Sequence, residues 1–188
     1  MNSLCKWSNV GLLSLAMLVV SSCATAPRTQ EQVMSDLKSS NPSVVLNALE
    51  DVEDKIPEKP NDLSSIQTLL TDSNAKVRRK AARVLGGMQA DVTEKDIKNI
   101  SALLKSDDPA EVIDGLKSLR GLKAATAVPD ITPMLKHPHP NVKRDACRTL
   151  AILGDKSVIP AIEPLLESPK ASVRKDAQDA IDALRKKS

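Results

Sequence analysis

Residues 155–184 read DKSVIPAIEPLLESPKASVRKDAQDAIDAL. Leu166 ends one apolar run, and seven residues later Val173 is followed by Arg174. Ala177, Ile181 and Leu184 then return four, eight and eleven residues after Val173. Those offsets trace one face of an α-helix, whose period is about 3.6 residues. The same phrase reads Leu135, Val142, Lys143, Ala146, Leu150, Leu153 one unit earlier, and Leu70, Val77, Arg78, Ala81, Leu85, Met88 before that. A period near thirty residues predicts stacked helical units, each burying its apolar face against its neighbours.

Extending the phrase along the chain gives five helix pairs. The first helices are expected at about Glu31–Ser39, Asp62–Thr71, Thr93–Lys105, Val128–Lys136 and Val158–Glu167. The second helices are expected at about Pro42–Asp54, Ala75–Met88, Pro109–Leu122, Pro140–Leu153 and Ala171–Lys186. The closing leucines, Leu37, Leu70, Leu104, Leu135 and Leu166, are spaced by 33, 34, 31 and 31 residues. Pro42, Pro109 and Pro140 stand where a helix starts, since the first turn needs no partner for the missing N–H. Asn41, Asn74 and Asp108 can cap those starts with a side-chain oxygen. Pro133 and Pro164 should bend the fourth and fifth first helices in matching places. Nothing in the chain alternates polar and apolar residues as a half-buried strand would.

The first stretch reads as an address. Lys6 precedes an apolar run of eleven residues, Val10 to Val20, and then Ser21-Ser22. That is the layout of a secretory signal and about half the length of a membrane-spanning helix. The tetrapeptide Val20-Ser21-Ser22-Cys23 resembles the lipobox of bacterial lipoproteins. The resemblance implies cleavage before Cys23, a diacylglyceryl group on its thiol, and an acyl chain such as palmitate on its amine. Several chains make a durable anchor where one does not. Ala24 in place of Asp resembles outer-membrane sorting, which would face the protein to the periplasm; the inner membrane and the cell surface are the other placements. The expected organisation is residues 1–22 as signal peptide, 23–30 as lipidated Cys and tether, and 31–188 as the repeat domain.

Removing residues 1–22 takes away Lys6 and leaves 166 residues carrying 26 basic and 24 acidic side chains. Such a balance argues against bulk nucleic-acid binding. Trp7, the sole Trp, leaves too, and the chain has no Phe or Tyr; base-stacking platforms need such rings. Neither nucleic acid nor a small-molecule substrate is therefore expected as partner. Cys147 is left without a disulfide partner and falls on an apolar helix face, matching Leu49, Ala82 and Leu116, where burial is expected.

The stretches Asp155–Leu166 and Ser172–Leu184 resemble the HEAT-like repeat first associated with phycobilisome lyases. That family pattern runs from a Val-Pro start to Leu-Leu, then Val-Arg, Ala and Ala-Leu. Ala127–Leu153 and Ile66–Met88 match it well. Units one and three match poorly, with no basic residue after Val44 and with Glu111 in the Val position, so Val112 is expected to rotate inward. The resemblance implies an all-α, right-handed α-solenoid of about five HEAT-like helix pairs, with the second helices lining the concave surface. It says less about function, because the repeat hosts binders, regulators and a few lyases.

Basic residues keep register on the second helices. Arg78, Lys143 and Arg174 directly follow the Val and are expected to form an ion-pair ladder with Asp114, Asp145 and Asp176. Arg79, Arg144 and Lys175 come one residue later, and Arg83 and Arg148 one turn further. Arg79, Arg83, Arg144, Arg148 and Lys175 are the candidate partner-binding residues, in a groove that Leu46 and Ile113 make partly apolar. The run His137-Pro138-His139-Pro140 reads as a loop, because two imidazoles are too few for a zinc site. Gly86-Gly87 reads as a helix terminus rather than a phosphate loop. No catalytic constellation, metal or cofactor is expected. The sequence points to a non-catalytic, membrane-anchored interaction scaffold of the bacterial envelope whose partner is another envelope protein. The alternatives are a binder of anionic polymer or lipid, such as lipopolysaccharide or peptidoglycan, and, less favoured, a lyase-type enzyme.

Overall fold

The computed structural model describes residues 28–54, 63–89 and 91–187. The stretch read as a signal sequence, residues 1–22, and Cys23 lie outside them. Ten α-helices follow in order among the described residues: α1 (Gln30–Asp36), α2 (Pro42–Asp54), α3 (Ser64–Thr68), α4 (Ala75–Gly87), α5 (Glu94–Ala102), α6 (Pro109–Gly121), α7 (Val128–Ile131), α8 (Pro140–Leu153), α9 (Ile159–Ile162) and α10 (Ala171–Arg185). Odd and even helices pair as the first and second members of five units. None is long and apolar enough to cross a membrane.

The even helices pack directly on one another along the stack, α2 on α4, α4 on α6, α6 on α8 and α8 on α10. The odd helices touch their odd neighbours far less. The even helices thus form one continuous packed layer.

Helix starts follow from local chemistry. Asn74 Oδ1 accepts from Lys76 N at 2.9 Å and Asp108 Oδ1 from Ala110 N at 2.9 Å. Asn41 Oδ1 accepts from Ser43 N at 3.0 Å. Each cap satisfies one backbone donor that the first turn leaves free. His139 caps α8 in the same way, its Nδ1 accepting from Asn141 N at 3.3 Å, while His137 Nδ1 accepts from His139 N at 3.1 Å. Desolvation, then the charge of His139, lowers the His137 pKa and favours the neutral ring such a contact needs. The His-Pro run is thus a turn, and no group of three metal-ligating side chains occurs among the described residues.

The first members of units two to five all close in a 3₁₀ stretch. α3 and α5, without proline, give way over Leu69–Thr71 and Leu103–Lys105, α7 over Thr132–Lys136 and α9 over Glu163–Glu167. Pro133 and Pro164 have no N–H for the i−4 carbonyl, and with them the stretch runs five residues instead of three. At the base, Thr29 and Gln32 form a reciprocal capping box on α1. Arg28 donates to Asp36 Oδ2 at 2.9 Å and to the Asn47 carbonyl at 2.9 Å, and ion-pairs with Asp51. These contacts tie the start of the described chain to α2.

One core runs through the stack. Val77, Ala81 and Leu85 on α4, Val142, Ala146 and Leu150 on α8, and Val173, Ala177 and Leu184 on α10 are all shut off from solvent. Burying each large side chain contributes about 1.5–3 kcal/mol. Cys147 belongs to this core, and burial followed by the charge of Asp176 pushes its thiol up to about 12. The buried Thr149 hydroxyl donates to the Leu116 carbonyl at 3.4 Å, linking α8 to α6.

Unit three keeps the register instead of rotating. Glu111 occupies the Val position and is 3 % exposed, while Val112 beside it is also buried. Two nitrogens of Arg78 meet Glu111 Oε1 at 2.8 and 3.1 Å, and Ser106 Oγ donates to Oε2 at 2.7 Å. A buried carboxylate needs such partners, and with them no rotation of α6 is required.

Candidate partner-binding surface

Side chains at i, i+4 and i+8 on a helix form one stripe. On the even helices the solvent-facing stripes are Leu46, Glu50, Asp54; then Arg79, Arg83, Gly87; then Ile113, Lys117, Gly121; then Arg144, Arg148, Ile152; then Lys175, Asp179, Ala183. Side by side, these make a surface three rows deep. In the middle row Arg83, Lys117 and Arg148 stand consecutively between Glu50 and Asp179. The centre is basic and both ends are acidic.

All five residues singled out in the sequence reach this surface, and each is engaged there. Arg79 Nε meets Asp114 Oδ2 at 2.8 Å and its Nη1 meets Asp108 Oδ2 at 3.3 Å. Arg83 Nη2 donates to Glu53 at 3.1 Å. Arg144 Nε donates to Asp176 Oδ2 at 2.7 Å, and Arg148 Nη2 donates to Asp176 Oδ1 at 3.1 Å. Lys175 pairs with Asp179 at 2.6 Å within its own helix. The inter-unit ladder therefore includes the register where an open patch is expected from sequence. In the register directly after the Val, Arg78 joins the ladder through Glu111 rather than Asp114, and both Arg78 and Arg174 hold the preceding turn. Arg78 Nη1 donates to the Asp72 carbonyl at 2.9 Å and Arg174 Nη1 to the Ser168 carbonyl at 2.7 Å.

Engagement does not cancel the charge. Glu53 is shared by Arg83 and Lys80, which approaches it to 2.5 Å. Desolvation raises the Glu53 pKa, and the hydrogen bonds from Lys80 and Arg83 more than reverse this, holding it below the ordinary carboxylate value. Asp176 is likewise shared by two arginines. Lys117 makes no ion pair among the described residues. Arg83, Lys117 and Arg148 thus place one basic side chain each on consecutive even helices. Arg83 and Arg148 remain 45 and 46 % exposed along their side chains, so their charge faces solvent.

Lys117 and Arg120 are the members that the sequence reading missed. Lys117 has the same offset from its unit's Val position as Arg83 and Arg148, which was the available signal. Arg120 Nη1 is buried without a hydrogen-bond partner, and its nearest carboxylate oxygen, Asp145 Oδ1, is 3.7 Å away. Beside these two lies a cavity of about 320 Å³ between α4 and α6. Arg83, Lys117 and Arg120 stand on its walls with the acidic Glu53, and Gly86, Gly87, Ser118 and Gly121 line it.

The glycines create that space. A Cβ on Gly121 would lie 2.4 Å from the Gly86 carbonyl oxygen, and one on Gly86 would lie 2.7 Å from Ser118 Cα. The two backbones are therefore in contact, which only glycine permits. Helix termination is left to Gln89 and Lys123, which take positive φ values of 46° and 54°. After α6 the cap is complete, with Lys123 N donating to Arg120 O at 3.1 Å and Ala124 N to Leu119 O at 3.0 Å.

Residues 99–184 match a family described as HEAT repeats. The fold is a HEAT-like α-solenoid. Among solved structures it is similar to the complex of CpcE and CpcF of phycocyanin lyase from Nostoc sp. PCC7120. The identity is 22 % and the TM-score 0.72, over 88 % of this chain and 68 % of that one. It is also similar to an engineered protein at 22 % identity and TM-score 0.62, over 82 % of this chain and 78 % of that one. A designed armadillo repeat protein in complex with the peptide (KR)4 matches at 16 % identity and TM-score 0.64, over 81 and 80 % of the two chains. At such identities the likeness is one of fold. No curated protein matches the sequence.

Proposed function

We propose that this solenoid is a non-catalytic interaction scaffold, held in the bacterial envelope by lipid on Cys23 and engaging an envelope protein through its even helices. The observation that carries the reading is the three-row surface, basic at its centre and acidic at its ends, built from repeated positions on consecutive helices. A patterned charge surface of this size selects and orients a protein partner. Tethering adds local concentration without adding a contact. The lipobox-like run Val20-Ser21-Ser22-Cys23 supports the anchor and the envelope placement, with the outer membrane facing the periplasm as its first choice.

The test is a photo-crosslinking amino acid in place of Lys117, activated in living cells, with adducts identified by mass spectrometry. One dominant protein adduct supports the scaffold. Adducts confined to glycan or lipid turn the reading to an anionic-polymer binder. A second reading, that of a lyase, draws on the likeness to the phycocyanin lyase complex. A chromophore retained on purification would favour it.

A further inference from the structure

We propose that the groove over α4, α6 and α8 binds a short extended acidic peptide, with carboxylates about every third residue and an apolar side chain at one end. The inference rests on the scaffold reading and names the chemistry of its partner.

Three observations converge. First, the middle row carries one cation on each of α4, α6 and α8, at Arg83, Lys117 and Arg148. Packed helices lie about 8–10 Å apart, and an extended chain advances about 3.3 Å per residue. A strand crossing the helices therefore meets a new cation about every third residue. Glu50 on α2 and Asp179 on α10 repel a longer acidic run, which limits the span to three helices and the peptide to about seven residues.

Second, the floor suits a backbone. Gly87 has nothing within 4 Å of the place where its Cβ would stand, and Gly121 beside it also lacks a side chain. A peptide main chain can thus settle between the walls formed by Arg83 and by Lys117 with Arg120. On α8 the same row holds Ile152, which at 55 % exposure is the large apolar side chain left open among the described residues. Its carbonyl is held by Lys187 Nζ at 2.6 Å, which fixes the end of the helix there. An apolar ligand side chain covers Ile152 while the carboxylates engage the middle row.

Third, Arg120 is under-satisfied. Its 3.7 Å separation from Asp145 contrasts with 2.7–2.8 Å for the corresponding pairs of Arg144 and Arg79. That Nη1 is buried toward Asp145, while the Arg120 side chain as a whole, 26 % exposed, lines the cavity.

The experiment uses the purified full protein in neutral detergent and fluorescent octapeptides, read by anisotropy. The probe Glu-Ser-Ser-Glu-Ser-Ser-Glu, extended by one Leu, should bind, and raising salt from 50 to 300 mM should weaken it at least fivefold. The same composition with its three Glu contiguous should bind at least threefold more weakly. Gly87→Leu fills the floor without touching the core; it should lower affinity at least tenfold while leaving the thermal midpoint unchanged or raised. Lys117→Glu should do the same.

Equal binding of acidic and (Lys-Ser-Ser) peptides would overturn the proposal, as would affinity that Gly87→Leu leaves unchanged. Binding to phosphatidylglycerol vesicles with none to the peptides would replace it with a lipid surface. A protein adduct at position 117 in cells together with no peptide binding would leave the scaffold standing and remove only the acidic peptide. Loss of both would remove the scaffold as well.

Discussion

The joint between α4 and α6 and the joint between α8 and α10 are built from the same repeat and crossed alike by arginine–carboxylate pairs, but the first adds a contact of backbones. At the first, Gly86, Ser118 and Gly121 bring two backbones into contact, and close packing sets the spacing. At the second, Arg144 and Arg148 on α8 reach across to one carboxylate, Asp176, which is 7 % exposed. Glycine contact leaves a cavity on the surface because nothing projects there. The joint between α8 and α10 has Ile152 and Ala183 in the same row. A repeat can therefore keep its core and still vary its outer face, by choosing which positions carry a side chain at all.

The difference can be broken most severely at Gly121. Gly121→Val places atoms where the Gly86 carbonyl already stands, and backbone cannot yield as a side chain can. A loss of about 3 kcal/mol or more is expected in urea denaturation. Next comes Asp176→Asn, which removes the shared charge and leaves two guanidiniums facing each other. Charge-assisted hydrogen bonds of this kind are worth about 1.5–3 kcal/mol each, and partial exposure brings the total to about 2 kcal/mol in the same assay.

Cys147 reports on the joint between α8 and α10 directly. With its thiol pushed up to about 12 by burial, alkylation at pH 8 should be undetectable in the folded protein and complete in denaturant, followed on the Cys147 peptide by mass spectrometry. A raised thiol pKa also means stability that is present below the ordinary thiol value of 9.0 and lost as pH rises toward 12. In Asp176→Asn, faster labelling of Cys147 would show the joint opening locally. The smallest effect belongs to Gly87→Ala, which should gain about 0.5–1 kcal/mol because the site is helical and open. Adjacent glycines with opposite responses would show that Gly86 is kept for contact and Gly87 for surface.

Much of the fold could be read locally. α2 and α8 begin and end where proline, capping residue and periodicity place them, and α4, α6 and α10 differ by one residue at the C-terminus. The signals for these limits lie within one turn of the helix they govern. What escaped depends on partners far away in the chain. Gly86 looked like a terminator, yet it is held against Ser118, 32 residues on, and the left-handed cap moved to Gln89. Glu111 looked like a misfit until Arg78, 33 residues earlier, supplied its charge. Arg79 and Arg144 looked free because their acids sit on the next even helix. Lys117 was legible, and comparing offsets across units three and four would have found it.

Arg28 sets a length scale for the whole molecule. Fastened to Asp36, Asn47 and Asp51, it turns the base of the stack into a fixed mount. Cys23 lies five residues earlier, a leash of about 17 Å even when fully drawn out. With lipid on Cys23, the first helix pair stays that close to the bilayer, and the stack sweeps a hemisphere around its anchor. Even helices about 10 Å apart place the basic centre within roughly 40 Å of the anchor. A partner rooted in the same membrane is then within the swept volume, whereas one in a distant layer of the envelope is out of range.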